Sequence, residues 1–340
     1  MMIKYKVQLS WQYWLYYAMS LLSISKLGGV LLTDKCLQQD LNHMNIIKKL
    51  VLHFYLLRVC YYLDPDDIRK NLRNGINTVV SKVDDFDYAY WNNCFHTNCM
   101  GYVLYEVAKG NIPIIRDKFS VFNTFFDVPF SANNDAPFIE EPTKCHLNLA
   151  FKYTPFNKIS LTAWQKAFSC FVRFNNETEK YIEEELQSVL QKRRVLGVIV
   201  RGTDYVKLQP KGHYRQPKVR DIIEYCKKQV AINNYSYIYV ASEEKKIVDL
   251  FKESFPSMIL ENTRTYYDEV FEEQNLDFIT EVSFNRENDN YWKGIQYMSS
   301  LVLLSKCDSL VGGNCGGARF ALYLNGGKYT HVHLFDRGIY

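Results

Sequence analysis

The sequence has no apolar run long enough to cross a bilayer. Its most hydrophobic stretch near the start, Trp11 to Leu22 (WQYWLYYAMSLL), contains Gln12 and is followed by Lys26, Gly28 and Gly29. A spanning helix needs ~20 apolar residues, so no transmembrane segment is expected. No small-residue cleavage site follows the run, so no export signal is expected either. One-sided charge is also missing: 41 Lys and Arg against 37 Asp and Glu leave a net charge of +4. That excess is too small to argue for nucleic acid, and neither RNP-like aromatic motifs nor zinc-finger spacings occur. A mildly basic surface suits an anionic ligand or an anionic membrane. A disulfide framework is excluded by cysteines that are odd in number, nine, and irregular in spacing. Reduced thiols of a cytosolic protein fit better. The one local group, Cys94-Phe95-His96-Thr97-Asn98-Cys99, lacks a second pair of ligands, so small thiols beside a loop are expected there and no metal. Internal repeats and low-complexity tracts are absent.

What is present is ordinary for a globular chain: 340 residues, 47% hydrophobic and 23% charged. At roughly 100–200 residues per domain, that length suggests two domains and an appendage. Residues 1–80 read as a helical extension. Ile47, Leu50, Val51, Phe54, Leu57 and Tyr61 fall at helical spacing, and Leu52, Tyr55 and Leu56 make the opposite face apolar as well. Packing against the rest of the protein is the expected use of that helix; peripheral membrane docking and homodimerisation are the alternatives. Asp64-Pro65 ends it, because proline disfavours helical backbone in the residue before it.

A second unit, 81–190, reads as strand Phe86–Trp91, polar loop Asn92–Asn98, helix Met100–Lys109 and strand Ile112–Ile115. This is a parallel α/β unit. Its loop, with Asn92, Asn93 and His96, lies at a strand's carboxyl end, where open α/β sheets bind ligands. The aromatic stretch Asn123–Phe138 reads as a loop over that sheet, and Asn176–Leu190 as a linking helix capped by Asn176 with Glu179 at the third position.

The third unit, 191–340, is the clearest. Strands are expected at Val195–Val200, Tyr235–Ala241, Met258–Leu260, Ser309–Val311 and Thr330–Phe335. Helices are expected from Pro217 to about Ile232, from Ser242, over Tyr291–Lys306 and over Gly316–Leu324. The apolar run VLGVIV is what a strand buried on both faces looks like, and the alternation predicts a doubly wound sheet.

Two places there look built for an anion. Arg201-Gly202-Thr203-Asp204-Tyr205 follows the buried strand, so a guanidinium emerges at its carboxyl end, where it can grip a diphosphate with two parallel hydrogen bonds. A structural Arg–Asp pair closing the strand end would give the same pattern. Gly312-Gly313-Asn314-Cys315-Gly316-Gly317-Ala318-Arg319 puts four glycines between a strand and a helix. Backbone amides can crowd a ligand at such a turn, and Arg319 adds a charge in the helix's first turn. The turn is no Walker loop, because it lacks the lysine and hydroxyl pair.

The segments VIVRGTDY and PKGHYRQP (210–217), the helix and strand YWKGIQYMSSLVLLSKCDSLVGG (291–313), and the Asn-rich loop with GNIPIIRD (110–117) resemble bacterial fucosyltransferase-like proteins. These sit in the superfamily of α-1,2-, α-1,6- and protein O-fucosyltransferases, whose shared motif is H-x-R-x-x-D. The resemblance covers roughly residues 86–340. It implies a GT-B fold of two facing Rossmann-like domains. It implies inverting, metal-independent transfer from a GDP-sugar, most often GDP-fucose, to a glycan or lipid-linked glycan in surface polysaccharide or lipopolysaccharide synthesis. It also implies a cytoplasmic enzyme, at most resting on the inner face of the membrane. No cofactor is implied beyond the GDP-sugar co-substrate. By resemblance Arg201 binds the diphosphate and Asp204 is the motif aspartate, with Gly202 and Thr203 beside them. Asn314, Gly316, Gly317 and Arg319 fall in the donor loop, and Tyr205 and His213 near the substrate. The chain departs from the family in having Val198 or Val200 where the motif histidine stands, and Asn-Cys-Gly-Gly where many relatives have serines. Candidate bases are His96, Asp117 and His213. Rival readings are a polysaccharide-modifying transferase such as a pyruvyl transferase, and a non-catalytic carbohydrate-binding protein on the same fold.

Overall fold

A computed structural model describes residues 173–340 except 192, 193 and 212, together with 78–82, 112–116, 124–127, 138–139, 161–162, 165 and 169. The strand and helix expected at 86–91 and 100–109, the helix around 47–61, the Cys94–Cys99 group and the candidates Asn92, Asn93, His96 and Asp117 lie outside the described residues.

The chain's centre of organisation is a five-stranded parallel sheet. Its strands are β6 (Val195–Ile199), β7 (Tyr237–Ala241), β8 (Ile259–Leu260), β9 (Ser309–Gly313) and β10 (His331–Phe335), in spatial order β10-β9-β6-β7-β8. The chain starts in the middle at β6 and lays β7 and β8 down on one side. It then crosses back to place β9 and β10 on the other. The order therefore reverses between β6 and β9. In sheets of this kind the two loops leaving such a pair run in opposite directions and open a crevice at the strands' carboxyl ends.

Burial explains the sequence of β6. Val195 and Ile199 enter one core, with α1 (Asn176–Val189), α6 (Asp289–Lys306) and α7 (Gly316–Asn325). Leu196, Val198 and Val200 enter the other, with α3 (Val219–Asn233) and α4 (Lys245–Ser254). Side chains alternate across a strand, so a sheet covered on both faces makes both sets apolar. The doubly wound α/β class expected from the pattern is the observed one.

Most expected elements are present with shifted ends. β9 runs two residues further, with Gly312 paired to both β6 and β10 and Gly313 to β10. The cap of α1 is Asn175, whose side chain accepts from the Thr178 amide at 2.9 Å, and not Asn176. The helix expected to open at Pro217 begins at Val219. Two short helices escaped sequence reading, α2 (Thr203–Leu208) and α5 (Asp268–Glu273).

A second sheet, β2-β1-β4, is also parallel, from β1 (Thr78–Lys82), β2 (Ile112–Arg116) and β4 (Phe138–Ile139). β2 matches the expected strand. β1 crosses residue 80, so 78–80 are strand where a helical extension was expected. The stretch read as a loop over the first sheet is corrected too. Within it β3 (Phe126–Asp127) pairs antiparallel with β5 (Arg173–Phe174). Phe125 and Phe126 are buried in the core of the five-stranded sheet. The opening for Phe125 is Gly294 of α6, where a Cβ would stand 2.5 Å from the Phe125 ring. Among the described residues no helix is long and apolar enough to cross a membrane. The described cysteines Cys226, Cys307 and Cys315 are free and buried.

Candidate functional site

Three loops meet at the carboxyl rim of the sheet. β6 ends in Arg201-Gly202-Thr203-Asp204, β7 in Ser242-Glu243-Glu244, and β9 in Asn314-Cys315 before α7 starts at Gly316. Two of them, those of β6 and β9, face each other where the strand order reverses.

Arg201 is the hub. Its Nη2 donates to Asp204 Oδ1 at 3.0 Å and Oδ2 at 3.3 Å, and its Nη1 lies 3.0 Å from Glu243 Oε1. The Tyr205 ring sits 5.1 Å from the guanidinium carbon. Burial by itself lowers a guanidinium's pKa, but Glu243 and then Asp204 reverse this and hold Arg201 above its ordinary value. It is a permanent cation. A guanidinium carries five N–H groups, and these three contacts use at most three of them.

Glu243 also accepts from the Thr203 hydroxyl at 3.2 Å and from the Gly202 amide at 3.4 Å. Glu244 accepts from the Thr203 amide and pairs with Lys246 at 3.2 Å. The two glutamates therefore clamp the backbone just after Arg201. Thr203 sits at φ +39°, a conformation a β-branched residue rarely takes. Such a position costs ~1–3 kcal/mol and persists only where its surroundings enforce it. Here the enforcing groups are the carboxylates. A Cβ on Gly202 would lie 1.7 Å from Glu244 Oε1, so any larger residue there would have to displace that carboxylate.

The β9 side is built differently. Gly316 and Gly317 open α7, whose first amides have no partner within the helix; those of Gly317 and Ala318 lie against the Cys315 sulfur. Arg319 is only 5% exposed; its Nε donates to Asn314 Oδ1 at 3.0 Å and its Nη2 to the Tyr214 hydroxyl at 3.0 Å. It braces the turn from behind. Gln216 donates to the Asn314 and Tyr214 carbonyls at 3.2 and 3.0 Å. Its own Oε1 is buried without a partner, 2.0 Å from where a Cβ on Gly313 would be. The segment 213–217 is thus a strap across the glycine turn, held in place by the Tyr214–Ile339 bridge. Cys315 lies within the field of Arg201, but burial raises its pKa against the pull of the Ala318 amide and Arg201, so the thiol is neutral.

Sequence reading placed Arg201, Gly202, Thr203, Asp204 and Tyr205 together, and the structure brings them together. His213 stands edge-on to Tyr205 with ring centres 5.5 Å apart, one aromatic ring away from Arg201. Missed were Glu243 and Glu244, read only as a helix start, and Tyr297 of α6, whose hydroxyl would be 3.2 Å from a Cβ on Gly317. The only available signal for the glutamates was two adjacent acids directly after a strand neighbouring β6. Among the described residues no His, Cys, Asp and Glu group has the arrangement of a metal site.

Fold and site together define a doubly wound α/β domain with a cation and a glycine-rich helix start facing each other at its switch point. No protein-family model matches the sequence. No curated protein sequence matches it. Among solved structures it is similar to the NodZ α-1,6-fucosyltransferase co-crystallised with GDP, at 12% identity and a TM-score of 0.42, over 72% of this chain and 91% of that one. NodZ from Bradyrhizobium is also similar, at 12% identity and a TM-score of 0.41 over 72% and 92%. POFUT1 in complex with GDP-fucose is similar at 14% identity and a TM-score of 0.33, over 52% of this chain and 50% of that one.

Proposed function

We propose that this protein is a glycosyltransferase that takes its sugar from a nucleotide-sugar, with GDP-fucose as the donor and a glycan or lipid-linked glycan as the acceptor. The carrying observation is the facing of Arg201 and the Gly316–Gly317 helix start across the point where strand order reverses. A diphosphate bound there meets backbone amides on one side and a fixed guanidinium on the other. The resemblance of VIVRGTDY and the following helix–strand pair to fucosyltransferases supplies the nucleotide, the sugar and the GT-B arrangement of two facing domains.

In this reading Asp204 and Glu243 orient Arg201, leaving N–H groups for the donor. Negative charge grows on the diphosphate as the sugar bond breaks, so a fixed cation stabilises the transition state more than the ground state. An inverting transfer also needs a base within hydrogen-bond reach of the acceptor hydroxyl. In this reading His213, edge-on to Tyr205, supplies that base. Arg319 supports the donor turn through Asn314.

One observation favours a second reading. Two carboxylates already neutralise Arg201, as they would in a structural pair closing a strand end. A non-catalytic carbohydrate-binding protein on this fold would look the same at that point. A thermal-shift panel of GDP, UDP, CDP and their sugars, with and without EDTA, separates the two. Selective stabilisation by GDP and GDP-fucose, unchanged by EDTA, supports the transferase. No shift with any nucleotide favours the second reading.

A further inference from the structure

Two strands along the rim from Arg201 stands a cation that no described residue balances. Arg264 lies four residues past β8 and is half-buried. Among the described residues its guanidinium makes no hydrogen bond and no ion pair; its one contact is the Tyr266 ring, 5.7 Å from the guanidinium carbon. Its Nε is buried without an acceptor. Arg286 reaches the residue after it: Arg286 donates from Nη1 to the Thr265 hydroxyl at 2.7 Å and from Nε to Asp289 at 2.7 Å, while its Nη2 is buried without an acceptor.

Every other cation nearby has its carboxylate. Arg201 has Asp204 and Glu243, and Arg286 shares Asp289 with the buried Lys293, which lies 3.1 Å from it. Among the described residues around it, Arg264 is the cation without a carboxylate. A half-buried guanidinium with empty donors is costly unless a ligand completes it.

The surroundings are rigid, as a binding point requires. Glu185 accepts from the Thr263 amide at 2.9 Å, Gln296 from the Thr265 amide at 3.0 Å, and Asn262 is fixed by Tyr239 at 2.8 Å. The Tyr267 amide donates to the Glu243 carbonyl at 2.9 Å, which joins this loop to the Arg201 cluster. The buried Tyr267 hydroxyl feels Arg264, Glu243 and Arg286 together.

We propose that Arg264 and Arg286 form a second oxyanion-binding point on the carboxyl rim, taking a phosphate or carboxylate oxygen group of a substrate. The inference rests on the rim being the substrate site. The group has two sources, the donor's diphosphate or an anionic acceptor, and both present the same oxygens to a guanidinium fork.

The test is isothermal titration of inorganic phosphate and of GDP into the full chain and its Arg264→Gln and Arg264→Lys variants. Among the described residues Arg264 makes no hydrogen bond and no ion pair, so both variants should melt like the parent. At least a tenfold loss of phosphate affinity in Arg264→Gln, with partial retention in Arg264→Lys, supports the site. If GDP competes with that phosphate and also binds tenfold more weakly to Arg264→Gln, the source is the donor. If the Arg264-dependent phosphate still binds under saturating GDP, the source is another substrate. If GDP fails to bind the parent while Arg264-dependent phosphate binding persists, the donor reading fails and the oxyanion point stands. Unchanged phosphate and GDP affinities in a normally melting Arg264→Gln overturn it.

Discussion

Nη1 of Arg201 and Oε1 of Glu243 lie 3.0 Å apart, tying the ends of the neighbouring strands β6 and β7 together. Cutting this tie has two separable consequences. Arg201→Ala leaves Asp204 and Glu243 facing each other without a cation, and breaking such a mostly buried pair costs ~3–5 kcal/mol. Arg201→Lys keeps the charge and loses the fork. Transfer from GDP-fucose per folded molecule should fall by ~10²–10³ in Arg201→Ala and substantially in Arg201→Lys, as for one transition-state donor. Rate measurements beside calorimetric melting decide this; near-parental turnover in both would remove Arg201 from the donor site.

Gly202 and Glu244 form a second testable contact. Gly202→Ala drives a methyl group into the Glu244 carboxylate. The expected loss is ~1–3 kcal/mol, as for other overpacked sites. In a Glu244→Ala background the same substitution should cost clearly less. Equal costs in both backgrounds, read from denaturant unfolding, would show that the contact is not what restricts residue 202.

The acid limb of the stability curve should carry two opposed contributions. Burial, then Glu243, raises the Glu244 pKa. The folded state therefore holds this proton at pH values where the unfolded chain, near ~4.3, has lost it, and stability falls as pH rises between the two values. Asp289 behaves in the reverse way. Burial raises its pKa, but the Phe284 amide, Arg286 and Lys293 together outweigh burial and lower it. Its contribution is present above the ordinary aspartate value and is lost as pH falls through the lowered one. Glu244→Gln should flatten the fall in stability above pH ~4, and Asp289→Asn should flatten the loss at lower pH. Melting temperatures across pH 2–7 check both signs.

Tyr214→Phe deletes the hydroxyl that accepts from Arg319. A buried charged donor losing an acceptor costs ~1–3 kcal/mol. At roughly 2–4 °C per kcal/mol, a calorimeter resolves this easily. Because Arg319 acts through Asn314, GDP affinity should fall less than in Arg201→Lys. A larger fall would mean that Tyr214 or Arg319 touches the nucleotide directly.

The parts legible in the sequence were those whose cause is local. VLGVIV announces a strand buried twice over, and four glycines between a strand and a helix announce a tight turn. Arg201 to Tyr205 could be grouped because they adjoin. Glu243 could not, since it meets Arg201 only through β6–β7 pairing, a relation that no spacing in the sequence encodes. Arg264 was illegible for a related reason: its distinction is that nothing balances it, which becomes visible only when every neighbouring charge has been paired. Arg319 read as a ligand-facing charge because first-turn position says nothing about which way a side chain is drawn, and here Asn314 and Tyr214 draw it inward. Phe125 and Phe126 read as loop because two buried rings carry no period.

The seam at the switch point also governs how the domain can assemble. The Val195 amide donates to Asp308 Oδ2 at 2.7 Å across 113 residues, and the Asp308 amide returns a bond to the Val195 carbonyl at 3.0 Å. β6 is made early but gains its second neighbour only when β9 exists. Until then one edge of the most apolar strand stays open, and closing so long a loop is slow. During synthesis β6, β7 and β8 emerge before β9, the strand that covers the other edge of β6. The crevice between β6 and β9 thus comes into being only after three strands of the sheet are already made, with β10 alone to follow, and a growing chain stalled before residue 309 would be the species most in need of a chaperone.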